Sequence, residues 1–311
     1  AVIENAAARN NEALRRAAGN GHLEVVNRLS EIEAVIENAT ADDNYALRWA
    51  AANGHLEVVK RLLAMIENAA AGVSVNATAM NNQALISAAE NGHLEVVKRL
   101  LAIGGVSMNA AARNNQALIS AAGNGHLEVV NRLLEIDAVI ENAAARNNEA
   151  LRRAAGNGHL EVVNRLSEIE AVIENATADD NYALRWAAAN GHLEVVKRLL
   201  AMIENAAAGV SVNATAMNNQ ALISAAENGH LEVVKRLLAI GGVSMNAAAR
   251  NNQALISAAG NGHLEVVNRL LEIDAVIENA AARNNEALSM AAENGHLEVV
   301  NRLLEIEAVI E

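Results

Sequence analysis

Nine histidines are the residues of this chain whose type and spacing could most readily support chemistry. Each lies in the hexapeptide Gly-His-Leu-Glu-Val-Val, and they are His22, His55, His93, His126, His159, His192, His230, His263 and His296. Because imidazole binds metals and transfers protons near neutral pH, the set could form a metal array or supply a general acid or base. A two-histidine zinc helix needs its second histidine four residues after the first. Valine occupies that position in every copy.

The spacing of the histidines argues against shared metal ions. Successive histidines are 33, 38, 33, 33, 33, 38, 33 and 33 residues apart, which is typical of one supersecondary unit stacked many times. Packed helix pairs lie about 10 Å apart, whereas zinc needs bonds of about 2 Å. We therefore expect each histidine to begin the second helix of its unit and to hydrogen-bond the turn between units.

Catalysis is not favoured by this pattern. Enzymes concentrate perturbed groups in one cleft, but every candidate group here recurs in identical copies. The chain has no glycine-rich phosphate loop, and without cysteine it has neither a thiolate metal site nor a cysteine nucleophile. The sequence predicts a protein that is not an enzyme and that uses no cofactor and no metal.

Composition and charge limit the classes of partner. Hydrophobic residues make up 52% of the chain, with no Phe and two Trp, which suits closely packed helices. The net charge of −13 disfavours nucleic acid, since phosphates need a basic surface. No apolar run approaches the roughly 20 residues of a membrane helix, so we expect no membrane insertion. Missing cysteine and the lack of a signal peptide favour the cytoplasm or a host-cell cytosol, with an extracellular fibre as the alternative.

A second, longer period lies above the first. Residues 138–274 copy residues 1–137 without a change, and residues 275–311 begin a third copy. Recent duplication, engineering or a sequence built to fit a periodic object would each preserve such identity. A solenoid has one continuous core, so we expect residues 1–311 to form a single solenoid.

One unit reads as two short helices. Asn11 is a good N-cap residue, and Leu14 and Ala18 lie on the apolar face of the helix that follows. Residues 19–21, Gly-Asn-Gly, end this helix because Gly and Asn tolerate the left-handed conformation. The second helix begins near His22. Its apolar stripe consists of Leu23, Val26, Leu29 and Ile32.

The pattern Leu-x-x-Ala-Ala-x-x-Gly-His-Leu-Glu-Val-Val-x-x-Leu-Leu, seen at Leu118–Leu134, resembles the ankyrin repeat. The resemblance covers all nine units and implies an all-α solenoid of about nine helix–turn–helix repeats. It also implies a concave groove that binds protein partners. The variant is similar to arrays of intracellular bacteria and large viruses.

The repeats depart from the family at the finger, the segment between one helix pair and the next. Residues 33–38, Glu-Ala-Val-Ile-Glu-Asn, contain no Gly that would end the second helix. We therefore expect a loop or degenerate hairpin there, or a second helix that runs on. The five-residue insertions around Met65–Ala71 and Met202–Ala208 are predicted to form loops.

Positions that vary while the frame stays fixed are the candidates for partner binding. In the family, the first helix and the loop tips line the groove. The resemblance assigns the groove to Arg15, Arg16, Arg48, Trp49, Ile86, Ile119, Arg152, Arg153, Arg185, Trp186, Ile223, Ile256 and Met290. It assigns the loop tips to Arg9, Asp42, Met80 and Arg113.

These groove positions favour a particular kind of ligand. Arg and Trp are enriched in interface hot spots, and arginines bind carboxylates through charge-assisted hydrogen bonds. An acidic or helical peptide is therefore the natural ligand of the arginine-rich positions. The alternative is that the tryptophans pack between repeats and the arginines are solvated.

The leading functional hypothesis is a non-enzymatic scaffold that binds a protein partner along the groove. The alternative is a structural protein that self-assembles end to end. Leu304 stands in the last repeat where Ser30 stands in the first, and an apolar face there favours a contact that propagates without closing.

Overall fold

The computed structural model describes residues 7–39, 41–68, 78–176, 178–205 and 215–310, and every regular element in these ranges is helical. The chain divides into two compact units, Ala1–Ala150 and Leu151–Glu311. Within each unit the same helical repeat recurs, so the predicted all-α repeat fold is confirmed. The extension of one solenoid over residues 1–311 stays a prediction.

Three classes of helix make up the repeats. The first helices, each of 12 residues, are α1 Ala8–Gly19, α4 Ala41–Ala52, α6 Ala79–Glu90, α9 Ala112–Gly123, α12 Ala145–Gly156, α15 Ala178–Ala189, α17 Ala216–Glu227, α20 Ala249–Gly260 and α23 Ala282–Glu293. The second helices are α2 Leu23–Leu29, α5 Leu56–Asn68, α7 Leu94–Leu101, α10 Leu127–Leu133, α13 Leu160–Leu166, α16 Leu193–Asn205, α18 Leu231–Leu238, α21 Leu264–Leu270 and α24 Leu297–Leu303. The short finger helices are α3 Glu33–Glu37, α8 Gly104–Met108, α11 Asp137–Glu141, α14 Glu170–Glu174, α19 Gly241–Met245, α22 Asp274–Glu278 and α25 Glu307–Ile310.

The core forms because like helices of neighbouring repeats pack together. In the first unit α1 packs on α4, α4 on α6 and α6 on α9, while α2, α5, α7 and α10 form a parallel row. The predicted apolar stripe of the first helix is buried in the fourth repeat, where Ala117, Leu118, Ala121 and Ala122 are at most 1% exposed. Because most of these side chains are alanines, the backbones of adjacent helices can approach closely.

The finger is a short helix in most described repeats, so the predicted loop or hairpin is wrong there. In α3 the backbone is extended at Ile32 and then helical over Glu33–Glu37. Glu33 lies in the first turn, where a carboxylate is favoured by the helix dipole. Val35 is completely buried and fixes the finger to the core.

The two insertions lengthen the second helix instead of forming only a loop. Helices α5 and α16 each run for 13 residues, to Asn68 and Asn205. Met65 and Met202 are buried within them, which explains why this part of the insertion is helical. The remaining inserted residues, 69–71 and 206–208, lie outside the described residues.

Most of the first helices contain a left-handed turn close to their first residue, directly after the finger. Arg113, Asn114 and Asn115 have φ values of 53°, 58° and 67°, a region that Asn tolerates better than most residues. The third residue of this turn does not act as the predicted N-cap. At Asn11 the side-chain Nδ2 donates to the carbonyl of Val35 at 2.7 Å, so this buried amide binds the finger that follows.

The histidine turn ties each repeat to the one before it. Gly54 has φ of +75°, and a Cβ added there would meet Nδ1 of His93 at 2.6 Å. His93 Nε2 lies 3.0 Å from the carbonyl oxygen of Ala52 in the preceding repeat. The predicted hydrogen bond between histidine and the inter-repeat turn is confirmed. Glycine is needed here because both the backbone conformation and the stacked ring exclude a side chain.

Candidate interaction surface

A cluster of arginine and aromatic side chains lies on the first helices of the first unit. The guanidinium carbon of Arg15 is 4.0 Å from the centre of the Tyr45 ring. The Tyr45 ring stacks on Trp49, with centroids 5.6 Å apart and planes inclined by 23°. We call Arg15, Tyr45, Arg48 and Trp49 the first aromatic cluster. It presents a cationic face and an aromatic face side by side.

Helical spacing builds this cluster. Tyr45 and Trp49 stand four residues apart on α4, so their rings meet on one helix face. Arg48 is restrained by two contacts. Its Nε donates to the carbonyl of Asp43 at 2.9 Å, and its guanidinium carbon lies 5.6 Å from the centre of the Tyr45 ring. Each exposed cation–π contact contributes about 0.5–1 kcal/mol. The contacts therefore restrain these side chains before any ligand binds.

Beside the cluster is a shallow cavity of about 310 Å³. Its lining residues are Glu12, Arg15, Arg16, Gly19, Asn20, Tyr45, Trp49 and Asn53. Arg16 is exposed and forms an ion pair of 2.6 Å with Glu12. Trp49 is 48% exposed. A ligand here would contact the indole face of Trp49, the backbone of Gly19 and the guanidinium of Arg16. The ion pair of Arg16 with Glu12 is exposed, so replacing it by a pair with the ligand costs little free energy.

A second cavity of about 320 Å³ also borders Trp49. It is lined by Arg48, Trp49, Ala52, Asn53, Gln83, Ser87 and Asn91. Trp49 thus lines both cavities, and its substitution would change both of them.

The second unit contains the same arrangement. Arg152 lies 4.2 Å from the Tyr182 ring, and that ring stacks on Trp186 at 5.4 Å and 21°. Arg185 lies 5.3 Å from the same ring, and Trp186 is 47% exposed. We call Arg152, Tyr182, Arg185 and Trp186 the second aromatic cluster. The exposed Arg153 is the counterpart of Arg16.

The four isoleucines assigned to the groove do not line a surface. Ile86, Ile119, Ile223 and Ile256 are between 1% and 4% exposed. Their position directly follows the buried leucine of the first helix and faces the neighbouring repeat, so an aliphatic side chain there joins the core. The prediction that they contact a partner is wrong.

Polar side chains occupy the surface of those repeats. Gln83 Nε2 donates to the hydroxyl of Ser87 at 3.1 Å. Arg113 reaches back to the same glutamine and donates to its Oε1 at 2.8 Å. The surface of this repeat is therefore formed by amide and hydroxyl groups, with the Arg113 guanidinium beside them.

The predicted loop tips and the last groove position differ in their surroundings. Arg9 is exposed and lies 3.5 Å from Glu12. Met80 is 45% exposed, and Arg113 donates to its carbonyl at 2.9 Å. The side chain of Asp42 lies outside the described residues. Met290, on α23, is 36% exposed.

Two functional candidates, Tyr45 and Tyr182, were missed by the sequence analysis. They are the only tyrosines of the chain, and each precedes a tryptophan by four residues. That spacing, together with the neighbouring arginines, was the available signal. Each tyrosine ring is the centre of its cluster because two arginines and one tryptophan all contact it.

The described residues contain no group of three or more His, Asp or Glu side chains that could hold a metal ion. The same bond from Nε2 to a carbonyl of the preceding repeat is made by His55, His93, His126, His192, His230, His263 and His296. No described helix is both long enough and apolar enough to cross a membrane.

Comparison with known proteins gives a family match over almost the whole chain. The model described as ankyrin repeats (3 copies) matches residues 14–112, 65–145, 151–249 and 225–311. No curated protein matches the chain. Ankyrin repeats generally mediate protein–protein interaction and are typically not enzymes. Since these matches cover far more than half of the sequence and the helical repeats agree with them, the chain belongs to the ankyrin repeat family.

Proposed function

We propose that this protein is a non-enzymatic scaffold that binds an acidic peptide segment of a protein partner at its two aromatic clusters. The single observation that carries the proposal is the restrained Arg15–Tyr45–Trp49 stack beside an open cavity. Its exposed indole and its arginines suit a segment in which an apolar side chain lies next to carboxylates.

Charge distribution supports the choice of ligand. The chain as a whole carries −13, so a partner with broad negative charge would be repelled. The clusters concentrate arginines locally, and screening over about 8 Å at physiological salt separates them from distant acidic groups. A short acidic segment is therefore favoured over an extended polyanion.

Substitution of the clusters tests the proposal. The variant carries Arg48→Ala, Trp49→Ala, Arg185→Ala and Trp186→Ala, and the probe is a helical peptide with glutamates around one leucine. We expect its affinity to fall about thirtyfold or more, as for the loss of a hot spot of roughly 2 kcal/mol. Fluorescence anisotropy of the labelled peptide measures this.

Two controls make the test specific. A variant with Gln116→Ala and Gln253→Ala changes the surface of other repeats and should bind the peptide normally. A peptide with lysines in place of the glutamates should bind weakly to every variant. Equal affinity of the cluster variant and the unchanged protein, with helical circular dichroism intact, would show that the clusters do not bind acidic segments.

One observation favours the alternative of end-to-end self-assembly. Leu304 is 45% exposed on the last described repeat, whereas its counterpart Leu271 is 4% exposed in the repeat before it. A second copy stacked on this face would bury the leucine. The alternative predicts that the mass measured by light scattering rises with protein concentration and that Leu304→Glu abolishes this rise. A constant mass for the unchanged protein would exclude it.

A further inference from the structure

Each first helix is followed by a turn with the dipeptide Asn-Gly, a sequence with its own covalent chemistry. The asparagines are Asn20, Asn53, Asn91, Asn124, Asn157, Asn190, Asn228, Asn261 and Asn294. The backbone nitrogen of the glycine can attack Cγ of the asparagine, which forms an N–C bond, expels ammonia and leaves a cyclic succinimide. Water then opens the ring to aspartate or isoaspartate. Glycine permits this reaction because it has no Cβ to hinder the attack.

We propose that these turns are deamidation sites that the stacked neighbouring repeat keeps inert. Conversion of Asn to aspartate or isoaspartate then marks the opening of a repeat junction. The proposal concerns the frame of the repeats and does not depend on what the aromatic clusters bind.

The native backbone of the turn opposes the attack. Asn91 has φ of −98° and ψ of 7°, and the attacking nitrogen reaches Cγ only after the chain rotates towards an extended ψ. The N–H of Gly92 donates to the carbonyl of Ala89 at 3.3 Å. The nitrogen that must lose its proton is therefore engaged in a hydrogen bond, and the turn must open first.

The histidine of the next repeat keeps the Asn-Gly turn closed, as the turn of Asn53 and Gly54 shows. A Cβ at Gly54 would lie 2.6 Å from Nδ1 of His93, so the imidazole ring packs directly on the glycine. The same ring binds the carbonyl of Ala52 through Nε2 at 3.0 Å. Rotation at Asn53 therefore requires that His93 moves away, which couples the chemistry to separation of two repeats.

Two classes of asparagine contact occur, and Asn124 combines both, since it donates to the carbonyls of Glu90 in the preceding repeat and of Ser120 in its own helix. Asn53 Nδ2 donates to the carbonyl of Gly19, in the preceding repeat, at 2.8 Å, and in the second unit Asn190 donates to Gly156 at 2.7 Å. Asn91 donates instead within its own helix, to Ser87 at 2.9 Å. The first class is held by the repeats on both sides, so it should react more slowly.

Conversion would weaken the junction at which it occurs. Aspartate at position 53 has no N–H to donate, and its carboxylate would face the carbonyl of Gly19 across a hydrogen-bond distance. Isoaspartate would also lengthen the backbone of a turn in which Gly54 is packed under a ring. A junction that has opened once and reacted would therefore open more readily again.

The experiment compares the whole chain in its folded state with the same chain in urea at mildly alkaline pH. Peptide-map mass spectrometry follows each asparagine with time. In urea all turns should react at similar rates, whereas in the folded chain they react through the small open population. Asn53 and Asn190, which share one peptide sequence, should together react about fivefold more slowly than Asn91 and Asn228, the factor for the one hydrogen bond to the preceding repeat that only the first pair must break. Equal rates in folded and unfolded chains would overturn the proposal.

A histidine variant tests the lock directly. The substitutions His93→Ala and His230→Ala uncover Gly54 and Gly191, and deamidation of the preceding asparagines should rise towards the rate in urea. Asn20 and Asn157, whose glycines stay under His55 and His192, serve as internal controls and should not change. An unchanged rate at the uncovered turns would contradict the lock.

A variant that loses its helical circular dichroism would be replaced by a urea titration of the unchanged chain below its unfolding transition. Deamidation should then rise with the fraction of opened junctions. A rate that stays flat until global unfolding would overturn the coupling between the reaction and single junctions.

Discussion

Two regions of the first unit share one frame and differ in surface. In the repeat of α4, Trp49 is 48% exposed beside Tyr45. In the repeat of α6 the equivalent surface carries Gln83 and Ser87. The histidine turns of both repeats make the same bond to the preceding repeat, at 3.1 Å and 3.0 Å. The stacking of the repeats is therefore fixed by the histidine turns and the buried apolar stripe, while the outward-facing residues differ from repeat to repeat.

The largest expected effect comes from breaking the shared frame. Gly229 has φ of +74°, and a Cβ there would meet His263 Nδ1 at 2.5 Å. Gly229→Ala should destabilise the protein by more than the roughly 1–2 kcal/mol of the left-handed conformation alone. Thermal circular dichroism measures this. Gly295→Ala is the matched control, since Gly295 has the same left-handed conformation, with φ of +76°, but nothing lies within 4 Å of its Cβ; an equal loss in both variants would contradict the role of the histidine ring.

The second prediction separates the contribution of the buried Asn115 side chain to stability from that of the left-handed backbone, which Asn114 shares. Asn115 and Asn114 both have positive φ, but only Asn115 is buried and donates to Val139, at 2.7 Å. Asn115→Ala should cost about 1–3 kcal/mol more than Asn114→Ala, because it leaves the Val139 carbonyl without this donor. Urea denaturation of the two variants gives the difference. Equal midpoints would mean that the finger does not depend on this bond.

The smallest effect sharpens the distinction between core and surface in the first helix. Ile86→Val should lower stability by about 0.5–1.5 kcal/mol, as expected for a buried methyl group. Its binding of the glutamate peptide should stay unchanged. Trp49→Phe should do the reverse, with weaker binding and a stability change within about 0.5 kcal/mol. A binding loss in Ile86→Val without a stability loss would return this isoleucine to the interaction surface.

The period and the hexapeptide predict the repeat, its helices and the histidine bond, because these features depend on local spacing. The burial of neighbouring positions such as Ile86 and Ser87 could not be predicted in the same way. The sequence of one helix does not show which of the two is covered, and only the neighbouring repeat buries Ile86 and leaves Ser87 partly exposed. That is why Ile86 was assigned to the surface although it lies in the core.

The finger shows the same limit. Residues 33–37 lack a glycine stop signal, and their helix is stabilised by contacts made elsewhere, since the carbonyl of Val35 binds Asn11, 24 residues earlier. Asn11 was taken for a helix cap because its type suits a cap. Its long-range bond depends on the left-handed turn, which no local pattern indicated.

Isothermal titration calorimetry with the glutamate peptide counts the binding sites on the protein. We predict two equivalent sites in the unchanged protein, one after Trp186→Ala and none after Trp49→Ala is added, with helical content unchanged throughout. The same stoichiometry in all three proteins would contradict the assignment of binding to the two aromatic clusters.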